Sequence, residues 1–199
     1  KKVFYTSLYH TMISPIVYQD VDGKYLGLDQ IIHEAKGFTN YSIFSLWDTY
    51  RALHPLYNLV QKRRNNDFVK SLLAHYDQSV HKALPIWSHY ANENWCMIGY
   101  HSVSVLADAV SKNTTDADVQ KILEACVNSS NLKYYDGIGE YLKYGYVPED
   151  KSSSSVSKTL EYAYDDWCIA QIAKKFGDTT TEREYLKRSE NYKNVFNPN

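Results

Sequence analysis

The sequence predicts an all-α fold built from antiparallel helix pairs. Apolar residues recur at helical spacing in several segments, and polar or turn-forming stretches separate these segments. The 199 residues include only 8 Gly and 5 Pro, too few for the many turns of a β-sandwich or β-barrel. A chain of this length suits a single domain with its own core.

Helices alternate with a long loop in the first half of the chain. Apolar spacing predicts a helix from Val3 to Ile16. Residues 19–40 contain the turn-rich DVDGKYLGLD and are expected to form a loop with short strands. Two further helices are predicted, from Tyr41 to Gln61 and from Asp67 to Gln78. Because they are close in sequence, we expect them to pack as antiparallel neighbours.

The second half of the chain is dominated by four predicted helices. An extended connector around Pro85 and Trp87 leads into them, and the Tyr- and Gly-rich residues 131–146 interrupt them as irregular structure. Thr115 and Thr179 are the expected N-caps of two of them. The helices are predicted over Asn94 to Ser111, Thr115 to Val127, Val156 to Phe176 and Thr179 to Val195.

Composition and motifs exclude several classes of function. Lys and Arg total 22 against 23 Asp and Glu, so the net charge of −1 provides no basic surface for nucleic acid. No apolar run is long enough to span a membrane. The 3 cysteines are far apart, and the 7 histidines lack metal-ligand spacing. Nucleotide-binding loops, serine-hydrolase elbows and zinc-protease motifs do not occur.

SLWDTYRALHP, Ser45 to Pro55, is the first candidate site. On a helix, Trp47, Tyr50, Arg51 and His54 would share one face, with Asp48 placed to pair with Arg51. One interpretation is a buried aromatic stripe beside an ion pair. The other is a sugar subsite, where an indole faces the C–H side of a pyranose and a carboxylate accepts from hydroxyls.

Two further segments carry grouped polar residues. Asn92, Glu93 and Trp95 precede an apolar helix, where Asn92 would be an N-cap and Glu93 would suit the helix dipole. A ligand site at that helix end is the alternative. Glu161 and Asp165, four residues apart, predict either a solvated acidic helix face or the carboxylate wall of a polar cleft.

Five segments together resemble glycoside hydrolase family 92, exo-acting α-mannosidases found widely in Bacteroides-type bacteria. They are FYTSLYHTM at 4–12, DVDGKYLG at 20–27, IFSLWDTYRALHPL at 43–56, NENWCMIGYH at 92–101 and SKTLEYAYDDWCIA at 157–170. The resemblance implies an (α/α)6 toroid with a central sugar pocket, normally preceded by a β-sandwich domain. Residues 1–199 would then be one incomplete portion of the toroid.

The activity implied by the resemblance is hydrolysis of terminal α-linked mannose with inversion. We expect an α-1,2 linkage, and a calcium ion that contacts the mannose hydroxyls. The family's W-D and N-E-x-W motifs help to line the mannose pocket, and Asn94 stands where the family more often has Thr. The matching substrate-binding residues are Trp47, Asp48, Asn92, Glu93 and Trp95.

The resemblance also implies that the reacting groups lie outside this chain. The family's E-G-N-x-W segment with the general acid, its G-N-E-P segment near calcium and its G-N-D-D segment with the base do not occur in residues 1–199. We therefore assign no catalytic residue and no calcium ligand here. The chain alone is predicted to be inactive without the remainder of its parent chain.

The expected partner is a mannose-containing oligosaccharide or N-glycan, with no nucleic acid and no membrane insertion. Family habit implies a periplasmic, cell-surface or secreted bacterial location. The alternative from another class is a non-catalytic helical module that binds carbohydrate or protein. Such a module would need no acid and base, so their absence from the sequence would require no explanation.

Overall fold

A computed structural model describes residues 1–197, which form nine α-helices, one 3₁₀ helix and three two-stranded antiparallel sheets. The helices are α1 Lys2–His10, α2 Leu46–Thr49, α3 Leu53–Val60, α4 Lys62–Gln78, α5 Ser102–Ser111, α6 Val119–Ser129, α7 Ile138–Tyr144, α8 Ser155–Phe176 and α9 Thr179–Ser189, followed by the 3₁₀ helix Glu190–Val195. The strand pairs are β1 Ile16–Val17 with β4 Tyr41–Ser42, β2 Lys24–Leu26 with β3 Ile32–Glu34, and β5 Ser88–His89 with β6 Asn92–Glu93.

Helix α8 is the central element of the fold. It packs against α5 and α6 and forms a tight hairpin with α9. Gly177 ends α8 with a φ of 91°, and its N–H donates to the carbonyls of Ala173 and Lys174. Asp178 then caps α9 by accepting from the backbone N–H groups of Thr180 and Thr181. The predicted helix pair is confirmed, although Asp178 replaces Thr179 as the cap.

The hydrophobic core lies where α4, α5, α6 and α8 meet. Its centre is made of apolar side chains with no solvent exposure, and burying each of them contributes about 1.5–3 kcal/mol before the entropy cost of folding. These side chains are Phe68, Leu72, Val103, Leu106, Ile122, Ile169 and Ile172.

The helix predicted from Tyr41 to Gln61 is wrong as a continuous element. Tyr41 and Ser42 form β4, and the helical part is broken between Thr49 and Leu53. Pro55 explains the break, because a proline ring clashes with the carbonyl four residues earlier, which belongs to Arg51. Restarting the helix at Leu53 puts Pro55 in the first turn, where its missing N–H costs nothing.

The helix predicted from Asn94 to Ser111 begins only at Ser102. Trp95, Met97 and Gly99 have φ values of 53°, 72° and 83°, which a right-handed helix cannot contain. The interpretation of Asn92 as an N-cap is therefore wrong, since Asn92 lies in strand β6.

Smaller differences concern the ends of predicted elements. The first helix ends at His10, and Asp118 rather than Thr115 caps α6 by accepting from the Gln120 N–H. The segment expected to be irregular contains the short helix α7, which glycines in left-handed conformation bound on both sides. The long loop with short strands at residues 19–40 is confirmed by β2 and β3.

Candidate functional site

The β5–β6 hairpin packs against the segment that leads into α2. The backbone N–H of Phe44 donates to the carbonyl of Ser88 at 3.2 Å. The N–H of Tyr90 donates to the hydroxyl of Ser42 at 2.7 Å. These contacts bring the SLWDT segment beside the NENW segment, so two of the predicted candidate sites adjoin.

A single hydroxyl joins the two segments at their side chains. The indole N–H of Trp87 donates to Ser45 Oγ, and the same hydroxyl donates to the carboxylate of Asp48. Asp48 is otherwise exposed to solvent. Its carboxylate therefore keeps acceptor positions that a hydroxylated ligand can fill.

Glu93 holds the hairpin together through its carboxylate. Oε1 accepts from the backbone N–H groups of Trp87 and Trp95, both at 2.9 Å, and Oε2 accepts from Ile86 at 2.8 Å. Burial raises the pKa of Glu93, while these N–H groups counteract part of the rise. Because a carboxylate has about four acceptor positions, these backbone N–H groups occupy most of the Glu93 carboxylate.

Asn92 and the Trp95 ring, which belong to the same predicted motif as Glu93, take no part in this hydrogen-bonded link. Asn92 is exposed in β6 and pairs with His89. The Trp95 ring is half-buried, and its centroid lies 4.9 Å from that of Tyr135 and 5.4 Å from that of His81. The structure thus joins Asp48 to Glu93 by way of Trp87, and it places the Trp95 ring in a separate aromatic cluster.

Left-handed backbone is concentrated around this junction. Ile43, Tyr90, Trp95 and Met97 have φ values of 65°, 57°, 53° and 72°. Each costs of order 1–3 kcal/mol for a residue other than glycine, and such costs are typically tolerated at binding or active sites. The two segments therefore keep a shape that their local conformational preferences disfavour.

Trp47, Tyr50 and Arg51 form an aromatic and cationic surface at the end of α2. The guanidinium carbon of Arg51 lies 4.9 Å from the Trp47 ring centroid and 4.6 Å from that of Tyr50. Arg51 covers one face of the Trp47 indole, so a ligand can use only the other face or the edge. The Trp47 indole N–H is buried and has no hydrogen-bond partner within residues 1–197.

His54 does not belong to this surface, although the helical spacing placed it there. It is buried in the core, stacked on Phe44 with ring centroids 6.3 Å apart. Burial lowers the pKa of His54 to about 3. His54 is therefore a neutral core residue, and the expected face is split because the helix breaks after Thr49.

The interpretation of Glu161 and Asp165 as a solvated acidic face is wrong. Asp165 has no solvent exposure and accepts from His101 Nδ1 and the backbone N–H of Tyr100, both at 2.8 Å. Glu161 lies 3.2 Å from the guanidinium of Arg51, so Arg51 pairs with Glu161 rather than with Asp48 as predicted. The sequence did not reveal this because the partners are 60 or more residues away.

His101 is the residue near the site that sequence reasoning missed. Its Nε2 lies 2.9 Å from Glu161 Oε2, close enough for an ion pair although not aligned for a hydrogen bond. Burial alone lowers the pKa of the imidazole, but Asp165 and Glu161 outweigh burial and raise this pKa from an ordinary 6.5 to about 9. His101 is therefore an imidazolium at neutral pH.

The charge on His101 predicts a loss of stability at alkaline pH. A pKa raised on folding stabilises the fold fully below pH 6.5, and this stabilisation disappears as pH rises through about 9. At 1.36 kcal/mol per pH unit, the loss is roughly 3 kcal/mol. Urea unfolding between pH 6 and pH 10 should show this fall in the wild type and not in His101→Gln; equal pH profiles for the two proteins would contradict it.

Asp166, the residue after Asp165, binds tyrosine hydroxyls and an arginine instead of His101. It accepts from the hydroxyls of Tyr100 and Tyr141, each at 2.9 Å, and Arg188 lies 2.9 Å from it. Burial raises the pKa of Asp166 to about 6, although Arg188 acts in the opposite direction. Asp166 thus fastens α8 to α7, to α9 and, through the Tyr100 hydroxyl, to the residue that precedes His101.

Comparisons with known proteins identify the family. Residues 1–199 match the glycosyl hydrolase family 92 catalytic domain along their whole length. The chain belongs to this family.

Two solved structures of family 92 enzymes from Bacteroides thetaiotaomicron are similar to it. One is an α-mannosidase in complex with mannoimidazole, with 55% identity and a TM-score of 0.96 over 98% of this chain and 26% of that one. The other is an inverting mannosidase, with 33% identity and a TM-score of 0.86 over 98% of this chain and 27% of that one. The chain therefore spans about a quarter of these enzymes.

A curated relative from Arthroderma benhamiae is described as an uncharacterized secreted glycosidase, and it is 25% identical over 98% of this chain and 23% of its own length. The match to family 92 structures confirms the predicted fold as part of an (α/α)6 barrel. In residues 1–197, no helix is both long and apolar enough to cross a bilayer.

The part of the chain that the structure describes contains no cluster of ionisable side chains that could hold the calcium ion implied by the family. Within residues 1–197, no three His, Cys, Asp or Glu side chains are grouped closely enough to hold a metal ion. No calcium ligand is therefore assigned among these residues.

A cavity of about 310 Å³ opens beside Arg51, with Tyr50, Tyr164 and Trp167 among its walls.

Proposed function

We propose that this chain supplies part of the mannose-binding wall of an inverting family 92 α-mannosidase. The proposal rests on the junction of the SLWDT and NENW segments, where Ser45 and Trp87 connect Asp48 to the Glu93 hairpin. The similar enzymes of Bacteroides thetaiotaomicron, one of them solved with mannoimidazole, support mannose as the sugar.

The five proposed substrate-binding residues have different tasks. Asp48 offers free acceptor positions to sugar hydroxyls, and Trp47 offers the part of its ring that Arg51 leaves uncovered. Asn92 is exposed on the hairpin and contacts the ligand from there. Glu93 and Trp95 act mainly by fixing the hairpin, since the Glu93 carboxylate is largely occupied by backbone N–H groups.

The acid, the base and the calcium ligands of the reaction belong to the remainder of the full-length enzyme. Inversion requires two carboxyl groups about 6.5–9.5 Å apart on opposite faces of the sugar, with room for a water molecule. We also propose an α-1,2-linked mannose as the preferred substrate, found in oligosaccharides or N-glycans, and a periplasmic, cell-surface or secreted location. The secreted relative supports export.

The full-length protein is expected to release mannose from α-1,2-mannobiose, and chain 1–199 alone is expected to release none. The physical reason is that binding residues without an acid and a base cannot protonate the leaving group or activate water. Proton NMR of the first turnovers should show β-mannose, the product of inversion.

The matched control is a set of α-1,3- and α-1,6-mannobiose reactions with the same protein, which test the linkage separately from the activity. Mannose release by residues 1–199 would overturn the inactivity of the chain. A full-length protein that binds mannosides and hydrolyses none would favour the alternative, a non-catalytic helical module that binds carbohydrate or protein.

A further inference from the structure

His101 lies between two carboxylates of α8 at the point where α5 begins. Its side chain is 1% exposed, and it is 2.8 Å from Asp165 on one side and 2.9 Å from Glu161 on the other. Asp165 is anchored in turn by the backbone N–H of Tyr100 at 2.8 Å. Such a histidine cannot rotate without leaving a buried charge unpaired, which is costly.

Glu161 extends this contact to the candidate sugar site. One carboxylate oxygen lies near His101, and the other lies 3.2 Å from the Arg51 guanidinium. The Tyr50 hydroxyl donates to the same carboxylate at 3.2 Å, and the Tyr50 ring stacks on His101 with centroids 4.1 Å apart. His101 thus contacts Tyr50 directly and Arg51 through Glu161.

Arg51 needs such a contact to stay in one position. Its side chain is 48% exposed, and a free arginine loses about 2 kcal/mol of rotamer entropy when it is fixed. Two carboxylates, one imidazolium and one guanidinium make the group of four neutral overall. Removing the charge of His101 leaves the Glu161 and Asp165 carboxylates to repel each other, which displaces Glu161 from the position in which it holds Arg51 over Trp47.

We propose that His101 is a positioning residue for sugar binding: it holds Glu161, and Glu161 holds Arg51 and Tyr50 beside Trp47. The inference rests on the proposed function of Trp47 and Asp48 as sugar-binding residues. His101 does not touch the sugar in this arrangement, and its effect is on the shape of the binding surface.

The groups that face His101 make the arrangement dependent on pH. Asp165, Glu161 and Tyr164 face it from α8, and Tyr50 faces it from the α2–α3 junction. Among these groups, the two carboxylates have the largest effect on the pKa of His101 because they are the nearest charges. They keep the His101 side chain protonated up to a pH of about 9. Sugar binding should weaken above that pH, when His101 loses its proton.

The test uses the full-length enzyme, with 4-nitrophenyl α-mannoside as substrate and mannoimidazole as inhibitor. His101→Gln and Glu161→Gln should each raise the KM and the inhibition constant about tenfold, with little change in kcat, because each loses a hydrogen bond or ion pair to a charged group. The double variant should be no worse than the poorer single variant, since the two residues act in one chain of contacts. The rise in KM near pH 9 should disappear in His101→Gln.

Tyr141→Phe is the matched control, because it removes a buried hydrogen bond of α8 that goes to Asp166 rather than to Asp165 or Glu161. It should lower stability and leave KM and its pH dependence unchanged. If His101→Gln does not fold, the KM of Glu161→Gln is compared with that of the wild type instead. The Glu161 side chain is partly exposed, so its replacement disturbs folding less. If the wild type is active and the folded variants His101→Gln and Glu161→Gln have the same KM as the wild type, the positioning role is overturned.

An inactive wild type would instead overturn the proposed function. In that case the crystal structure of His101→Gln decides the positioning role separately. Displacement of Arg51 from the Trp47 ring supports it, and an Arg51 that stays over both Trp47 and Tyr50 overturns it.

Discussion

Asp165→Ala is expected to lower the free energy of unfolding by about 3–5 kcal/mol. The substitution leaves the His101 imidazolium buried beside one fewer carboxylate and leaves the Tyr100 N–H without its acceptor. Removing one partner of a buried ion pair costs more than the pair contributes, because the remaining charge stays desolvated. Urea unfolding followed by circular dichroism measures the change.

Asp150→Ala is the control for this prediction. Asp150 also forms an ion pair, with Lys151 at 3.3 Å, but both side chains are more than half exposed. Surface pairs of this kind contribute little, so stability should hardly change. Similar losses for Asp165→Ala and Asp150→Ala would show that the buried network does not stabilise the fold.

Glu93→Ala is expected to cost about 3 kcal/mol and to loosen the β5–β6 hairpin. Three backbone N–H groups, those of Ile86, Trp87 and Trp95, lose their acceptor at once. Each buried donor without a partner costs about 1–3 kcal/mol, and water reaches the half-exposed ones and reduces their share. Hydrogen exchange at these three amides should become faster, and urea unfolding should show the loss of stability.

Glu93→Gln should fall between the wild type and Glu93→Ala, since the amide keeps one acceptor oxygen. Asn94→Ala tests the specificity of the effect, because it removes only a 3.3 Å hydrogen bond from the exposed Asn94 side chain to the Trp87 carbonyl and keeps the backbone bond of Asn94 to the same carbonyl. In Asn94→Ala, the hydrogen-exchange rates of the Ile86, Trp87 and Trp95 amides should stay close to those of the wild type. Unchanged protection of the three amides in Glu93→Ala would refute the role of this carboxylate in the hairpin.

The sequence predicted the parts of the fold that depend on local pattern. Both ends of α8 and the start of α9 are correct to within a residue, because a long apolar period and a closing Gly177 lie within one stretch of chain. The last helix ends at Ser189 and continues as a 3₁₀ helix to Val195, and its cap is Asp178 rather than the predicted Thr179. The break after Thr49 was missed, although Pro55 supplies a local signal for it. The late start of α5 was missed because Trp95 and Met97 adopt left-handed backbone that only tertiary contacts impose.

The candidate site was predictable in its residue types and not in its connections. Motif resemblance indicated Trp47, Asp48 and Glu93, and the roles of these residues in sugar binding remain predictions. His101 escaped because its importance comes from two carboxylates on α8, about 60 residues further along the chain. A histidine directly before an apolar helix was the one available signal, and that pattern is too common to single it out.

The contacts of the adjacent residues Asp165 and Asp166 limit where residues can be inserted into or deleted from α8 during evolution. Adjacent helical residues point about 100° apart, so Asp165 reaches His101 and Asp166 reaches Tyr141 and Arg188 only at one rotational setting of the helix. A one-residue insertion or deletion between Glu161 and Asp165 would turn one part of the helix by that angle and separate Glu161 from His101 or both aspartates from their partners. Homologous sequences that keep these contacts should therefore differ in this stretch by substitution alone, with their alignment gaps in the loops before and after α8.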